Sequence, residues 1–281
     1  MSERRPLILV TNDDGITAGG IAALVEVARE FGDVLVVAPD SPQSAQGHAI
    51  TISIPVFVRE SEALGDNIEA YECSGTPVDC VKLAKSVLLN GRTPDLCLSG
   101  INHGSNAAIN ILYSGTLSAA MEASLEGIPS IGFSFLNYRA DADFSVCLPY
   151  VRRLVDFVLT NGMTEGSLFN VNIPDLPAEQ IKGLRVCRQA EARWVEEYTR
   201  AEDPRGRPYY WLTGRFVNED TRTDTDAYAL ENGYVSLVPS LHDLTNLRAL
   251  DNLQAIEASL QPQGTPATTS APSKKQQLEQ F

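Results

Sequence analysis

The segment PLILVTNDDGIT, residues 6–17, runs from an unbroken apolar stretch into two adjacent carboxylates, Asp13 and Asp14, and then a glycine. Its apolar part does not alternate with polar residues, which suits a strand covered on both faces. Asn, Asp and Gly bond back to their own backbone or accept positive φ, so NDDG reads first as a turn. Beyond it, GGIAALVEVAREFGD (19–33) places Ile21, Leu24, Val25, Ala28 and Phe31 on one helical face, with Gly32 as a stop. A strand, a polar loop and a helix in that order begin a βαβ unit.

The pattern repeats along the chain. Strand-like runs recur at DVLVVAP (33–39), DLCLSG (95–100), PSIGFSF (129–135), SLFNVNIP (167–174) and GLRVC (183–187). Helical patterns at 76–91, 114–127 and 149–162 separate them, the first opening on Thr76-Pro77 and closing at Asn90-Gly91. This predicts the α/β class: a Rossmann-like, mostly parallel sheet with helices on both faces. AITISIPVFVRE (49–60) alternates instead, as an antiparallel or edge strand does, and Pro55 favours the edge. After 188 the sequence turns aromatic and turn-rich, with Asn232-Gly233 as its strongest hairpin signal. The expected division is a catalytic core over 1–187, an extended β-hairpin arm over 188–250 for oligomer contacts, and a mostly disordered tail over 251–281. Pro, Thr, Ser and Gln dominate the last 261–281 stretch.

With 22 Lys and Arg against 36 Asp and Glu, the net charge of −14 argues against duplex nucleic acid as a partner. A phosphate ligand would need a local cation or a set of backbone amides to overcome that field. Five scattered cysteines form no C-x-x-C pair, which points to a reduced compartment. No run reaches membrane-spanning length, and the apolar run near the N-terminus is short for a signal peptide. The expected location is therefore cytoplasmic, with no membrane partner.

In an open parallel sheet, ligands gather outside the carboxyl ends of the strands. Asp13 and Asp14 follow the first strand, DSPQSAQGHAIT (40–51) the second, and SGINHGSN (99–106) closes the run at 95–100. Two neighbouring carboxylates repel, so keeping both ionised calls for a cation. Adding Ser44 and Asn102 makes an all-oxygen set suited to Mg²⁺, Mn²⁺ or Ca²⁺ rather than zinc. The plain alternative is that Asp13 caps the following helix and Asp14 is solvated. His48 and His103 lie in the same loops as acid, base or phosphate contacts, while the third histidine, His242, stands apart. SGTPVD (74–79) and YSGTLSAA (113–120) each put Ser-Gly-Thr at a helix N-terminus, where free N–H groups make a seat for an anion. No G-x-G-x-x-G, Walker or G-x-S-x-G sequence occurs. Ser99 and Ser114 with the few histidines leave a serine hydrolase open.

LVTNDDGI, VAPDSPQSAQGHAIT, SGINHGSN and YSGTLSAAMEASLEG together resemble, in order and spacing, the SurE family of stationary-phase survival proteins. DTDAYALENGYVSLVP (224–239) resembles its C-terminal signature, so the likeness spans residues 6 to about 245. The resemblance implies a metal-dependent 5′-nucleotidase with one divalent cation, Mg²⁺ or Mn²⁺, per subunit. It implies metal ligation by Asp13, Asp14, Ser44 and Asn102, and phosphate contacts from Asn106, Ser114, Gly115 and Thr116. Nucleoside monophosphates are the implied substrates, with short polyphosphate for some members, and a swapped C-terminal arm is implied to build homodimers or homotetramers. Either Asp13 or Asp14 is the catalytic base, the residues leaving open which. Two other readings keep the acidic loop without turnover: a receiver-like signalling domain and a nucleotide- or phosphate-binding protein. The receiver reading wants a lysine after its fifth strand, and IGFSFLNYR (131–139) has none.

Overall fold

The computed structural model describes residues 4–260 apart from 66 and 196. The chain begins with β1 (Leu7–Thr11), α1 (Gly19–Phe31), β2 (Asp33–Pro39), β3 (Val58–Glu60), β4 (Glu69–Cys73) and α2 (Pro77–Leu83). Next come β5 (Leu96–His103), α3 (Gly115–Leu125), β6 (Ser130–Phe135), α4 (Leu148–Asn161), β7 (Ser167–Ile173) and β8 (Leu184–Val186). Then follow β9 (Ala192–Val195), β10 (Tyr198–Glu202), β11 (Pro208–Leu212), β12 (Arg215–Asn218), α5 (Asp226–Glu231), β13 (Val235–Leu241) and α6 (Leu247–Leu260). Nine strands form one sheet in the order β3-β4-β2-β1-β5-β6-β7-β13-β8. From β4 through to β7 the neighbours are parallel.

Burial on both faces explains the unbroken apolar strands. On one face Ile8, Val10, Val36, Ala38, Leu96 and Leu98 meet Ile21 and Leu24 of α1 and Val151 and Val155 of α4. On the other, Leu7, Leu9, Leu35, Val37 and Cys97 meet Cys80 and Val81 of α2 and Ala119 and Ala123 of α3. Alternate residues of these strands therefore serve different helices, which favours apolar side chains on both faces. The helix α1 packs so closely that a Cβ on Gly20 would stand 2.0 Å from the Ile101 carbonyl oxygen.

Three elements differ from the sequence-based expectation. The alternating 49–60 segment supplies only the three-residue edge strand β3, antiparallel to β4. Pro55 has no N–H for a ladder, and Ile52 and Ile54 ahead of the strand are 81% and 68% exposed. The strand β4, EAYEC, carries two glutamates near the sheet edge and buries only Ala70 and Cys73, so its composition conceals it. Asn232-Gly233 closes α5 rather than a hairpin: Asn232 is the C-cap, and Gly233 at φ 78° makes the left-handed exit into β13.

β13 lies between β7, to which it is antiparallel, and β8, to which it is parallel. Part of the segment expected in the arm is thus a strand of the main sheet, and residues up to His242 form one compact unit. The arm itself is two antiparallel pairs, β9 with β12 and, nested between them in sequence, the hairpin β10–β11. One buried carboxylate ties it down: Asp226 accepts N–H bonds from Ala108 (2.8 Å), Ala190 (2.9 Å) and Ala227 (2.8 Å). A second unit begins at Asp243 and contains α6, so residues 251–260 of the expected tail are helical. The expected disorder over 261–281 lies outside the described residues. No helix among the described residues is long and apolar enough to cross a membrane.

Candidate active site

The NDDG turn divides its labour. Asn12, buried, donates from Nδ2 to the Gly15 carbonyl (2.9 Å), and its Oδ1 accepts the Gly15 N–H (3.2 Å). Gly15 supplies the φ of 98° that the return demands. Asn12 and Gly15 therefore build the turn, which frees Asp13 and Asp14 for other work. Neither caps α1, whose N-cap is Ala18 with no side-chain bond. Asp13 is 4% exposed, and burial pushes its carboxyl up to about 6; the Thr116 hydroxyl bond opposes that rise and the neighbouring Asp14 charge adds to it. Burial also raises Asp14, against a hydrogen bond from the His103 backbone N–H (3.4 Å).

The other loops converge on this pair. Asp13, Asp14, Ser44, Asn102, His103, Asn106 and Ser114 line one cleft of about 600 Å³ at the carboxyl ends of the strands. The Gln43 N–H binds the Asp13 carbonyl (2.8 Å), fixing the Ser44 loop to the first turn. Asn102 donates from Nδ2 to the His103 and Gly104 carbonyls (3.1 and 3.0 Å), so its Oδ1 is the amide atom that could face a cation. Asn106 gives one amide N–H to Ser134 Oγ (2.9 Å), while its backbone is held by Asn172 Oδ1 (2.8 Å) and Asn170 Nδ2 (2.9 Å). These supports were not singled out in the sequence. Their signal is two asparagines, Asn170 and Asn172, inside a strand that is otherwise apolar, and a buried amide pair needs a partner.

Several of the expected residues have protein partners of their own. Gly115 and Thr116 do not line the cleft but back Asp13: Thr116 donates its hydroxyl to Asp13 Oδ1, and Gly115 sits where a Cβ would strike the aspartate. The Ser114 hydroxyl accepts the Leu117 N–H (3.1 Å) as the cap of α3. Thr76 is a cap as well, but its helix end is no anion seat, because Asp79 closes a capping box there. Hydrogen bonds to Thr51 and Thr76 hold Asp79 below the usual carboxylate range against the cost of its burial. His48 turns away from the cleft to Glu122 (2.8 Å), which also binds Lys82 (2.5 Å). His242, at the end of β13, is also outside the cleft. His48 is on Glu122, Ser114 caps α3, and His103 Nδ1 and Ser99 Oγ have no hydrogen-bond partner, so no hydrogen-bonded serine–histidine pair occurs among the described residues.

Two carboxylates, a hydroxyl and an amide oxygen fit a hard divalent cation. No group of three or more His, Cys, Asp or Glu able to hold a metal occurs among the described residues, so a zinc-type cluster is absent there. Among the described residues no lysine or arginine lines the cleft to offset the two acids. The wall beyond them is aromatic, formed by Tyr113, Tyr138 and Trp194.

Fold and cleft together define an α/β protein whose polar groups gather at the carboxyl edge of a Rossmann-like sheet. Within that class the chain belongs to the SurE family: the model described as Survival protein SurE matches residues 8–196. It is 58% identical over 247 residues to the 5′-nucleotidase SurE of Christiangramia forsetii, covering 87% of this chain and 94% of that protein. Identity to the 5′-nucleotidase SurE of Bacteroides thetaiotaomicron is 44% over 255 residues, 90% of this chain and 96% of that one. The crystal structure of the SurE protein from Aquifex aeolicus superposes with a TM-score of 0.78 at 40% identity, over 90% of this chain and 100% of that one.

Proposed function

We propose that the chain is a metal-dependent 5′-nucleotidase that hydrolyses nucleoside 5′-monophosphates to nucleoside and phosphate, with short polyphosphate as a second substrate class. The observation that carries this is the pair of buried Asp13 and half-buried Asp14 facing oxygen donors in a cleft that no lysine or arginine among the described residues lines. Asp13, Asp14, Ser44 and Asn102 would hold one Mg²⁺ or Mn²⁺ per subunit, which when bound polarises a phosphate oxygen and acidifies water. Asp13 is engaged by Thr116 and has little freedom. Asp14 meets only one long backbone contact and is the group that takes the proton of the attacking water. The N-terminal end of α3, reached at Ser114, places its partial positive charge toward the phosphate. Asn106 offers its second amide N–H to an equatorial oxygen.

Purified protein is expected to release phosphate from AMP and GMP with Mn²⁺ or Mg²⁺, and to lose that activity in chelator. Silence across a panel of ribo- and deoxynucleotides would leave a nucleotide-binding protein instead. The same pair makes a stability prediction, because a cation that binds only the folded state stabilises it by mass action. Adding millimolar Mn²⁺ to chelator-treated protein should raise Tm by several degrees, about 2–4 °C per kcal/mol for a chain of this size. Asp13→Asn should lose most of that rise, and an equal shift in the variant would remove Asp13 from the ligand set.

Assembly follows the arm. Tyr198, Tyr210, Trp211 and Leu212 on the hairpin β10–β11 are exposed, and we infer that they bury themselves in a homodimer or homotetramer. The five free, buried cysteines fit a reducing cytoplasm.

A further inference from the structure

Trp194 reaches the cleft from β9, in the arm, and is 41% exposed. Two contacts fix its ring. Its Nε1–H donates to Asn110 Oδ1 (2.7 Å), and its ring meets Phe216 on the paired strand in a T-shaped contact at 5.7 Å and 67°. Asn110 in turn donates from Nδ2 to the Ser105 carbonyl (3.1 Å). Held between Ser105 and Trp194, the Asn110 amide orients the indole. An indole whose only donor is satisfied presents a purely apolar surface to the cleft.

Tyr113 and Tyr138, 49% and 76% exposed, line the same cleft, as does Leu212. A cleft of about 600 Å³ exceeds what a phosphate and its cation require and accommodates a whole nucleotide. Its acid and amide groups come from the strand-end loops, and its aromatic wall is built from Tyr113 and Tyr138 of the core and Trp194 of the arm. That separation matches a ligand with an anionic end and a flat π-faced end.

Resting on the reading of the chain as a 5′-nucleotidase, we propose that Trp194 is the platform on which the substrate's nucleobase stacks. The site accordingly selects purine over pyrimidine monophosphates by ring area rather than by hydrogen-bond readout. Stacking on an aromatic side chain tolerates any base, because every base has a π face, and it grows with the area of overlap. AMP and GMP should then be used about equally well, and both better than CMP or UMP. Ribose 5-phosphate, which keeps the phosphoester and lacks the base, should be the poorest of the set.

The test is a set of kcat/KM ratios. The AMP to ribose 5-phosphate ratio should fall about tenfold in Trp194→Ala, chiefly through the KM for AMP, and recover largely in Trp194→Phe; tenfold is at the lower end of measured base-stacking losses. An unchanged ratio, or a ratio restored by no aromatic residue, would overturn the assignment. Because Trp194 and Trp211 are the only tryptophans, Trp211→Phe leaves Trp194 as the sole indole reporter. AMP should quench its fluorescence saturably and ribose 5-phosphate should not; equal quenching by both, or by neither, would count against stacking. If the unaltered protein releases phosphate from no substrate, the nucleotidase reading fails, and the fluorescence titration still decides whether Trp194 meets a base.

Discussion

Asp14→Asn is expected to lower kcat for phosphate release from AMP by about 10³-fold, within the range for losing a positioned general base together with a cation ligand. The substitution keeps size and shape, and Asn still accepts the His103 N–H that Asp14 now accepts. Removing a partly buried charge should leave Tm level or slightly higher, since burial already raises the Asp14 carboxyl above its ordinary range. Loss of turnover with an intact near-UV circular dichroism spectrum is therefore the expected pair of results. A folded variant within about tenfold of the parent would remove Asp14 from the chemistry. Mn²⁺ titration by electron paramagnetic resonance separates the two duties: weaker Mn²⁺ binding reports ligation, and unchanged binding with lost turnover reports proton transfer.

Gly115→Ala should cost about 10²-fold in kcat, although the residue does not line the cleft. A Cβ at this position would stand 2.6 Å from the Asp13 Cβ and 2.9 Å from its Oδ2, so α3 or the aspartate has to move. Displacement of a reacting group by about 1 Å can cost that much. Against it stands the better helix propensity of Ala, worth up to ~1 kcal/mol. The two effects fall on different measurements: Tm should change little while turnover collapses. Activity within twofold of the parent would show that the first turn of α3 absorbs the methyl group without disturbing Asp13.

These two residues show how much of the site was legible in the sequence. Asp13, Asp14, Ser44 and Asn102 stand out because each lies in a polar loop following an apolar strand, and the parallel-sheet rule brings those loops together. The strands β1 and β2 were legible for a related reason, since burial on both faces leaves an unbroken apolar signature. At Gly115 the structure adds a close approach to Asp13 that the sequence did not announce, because a glycine motif does not say whether the space is for a ligand or for a neighbouring side chain. Asn232-Gly233 misled in a similar way: a left-handed residue serves a hairpin turn and a helix exit equally. His48 sits in a site loop, yet its partner Glu122 lies 74 residues away, a pairing that no local pattern announces.

The Asp226 carboxylate bears on when the protein becomes complete. It meets the Ala108 N–H across 118 residues of sequence, and β13 enters the sheet only after the whole arm has been made. Contacts of such long separation form late, because closing the loop costs entropy before the contact repays it. A chain emerging from the ribosome can assemble β1, β2 and β5 early, but the loop carrying Asn106 and Asn110 lacks its Asp226 anchor at Ala108 until residue 226 is out. The cleft is therefore finished at the end of folding, and a fragment stopping at 187 would carry every proposed metal ligand without the anchor that shapes the cleft around them.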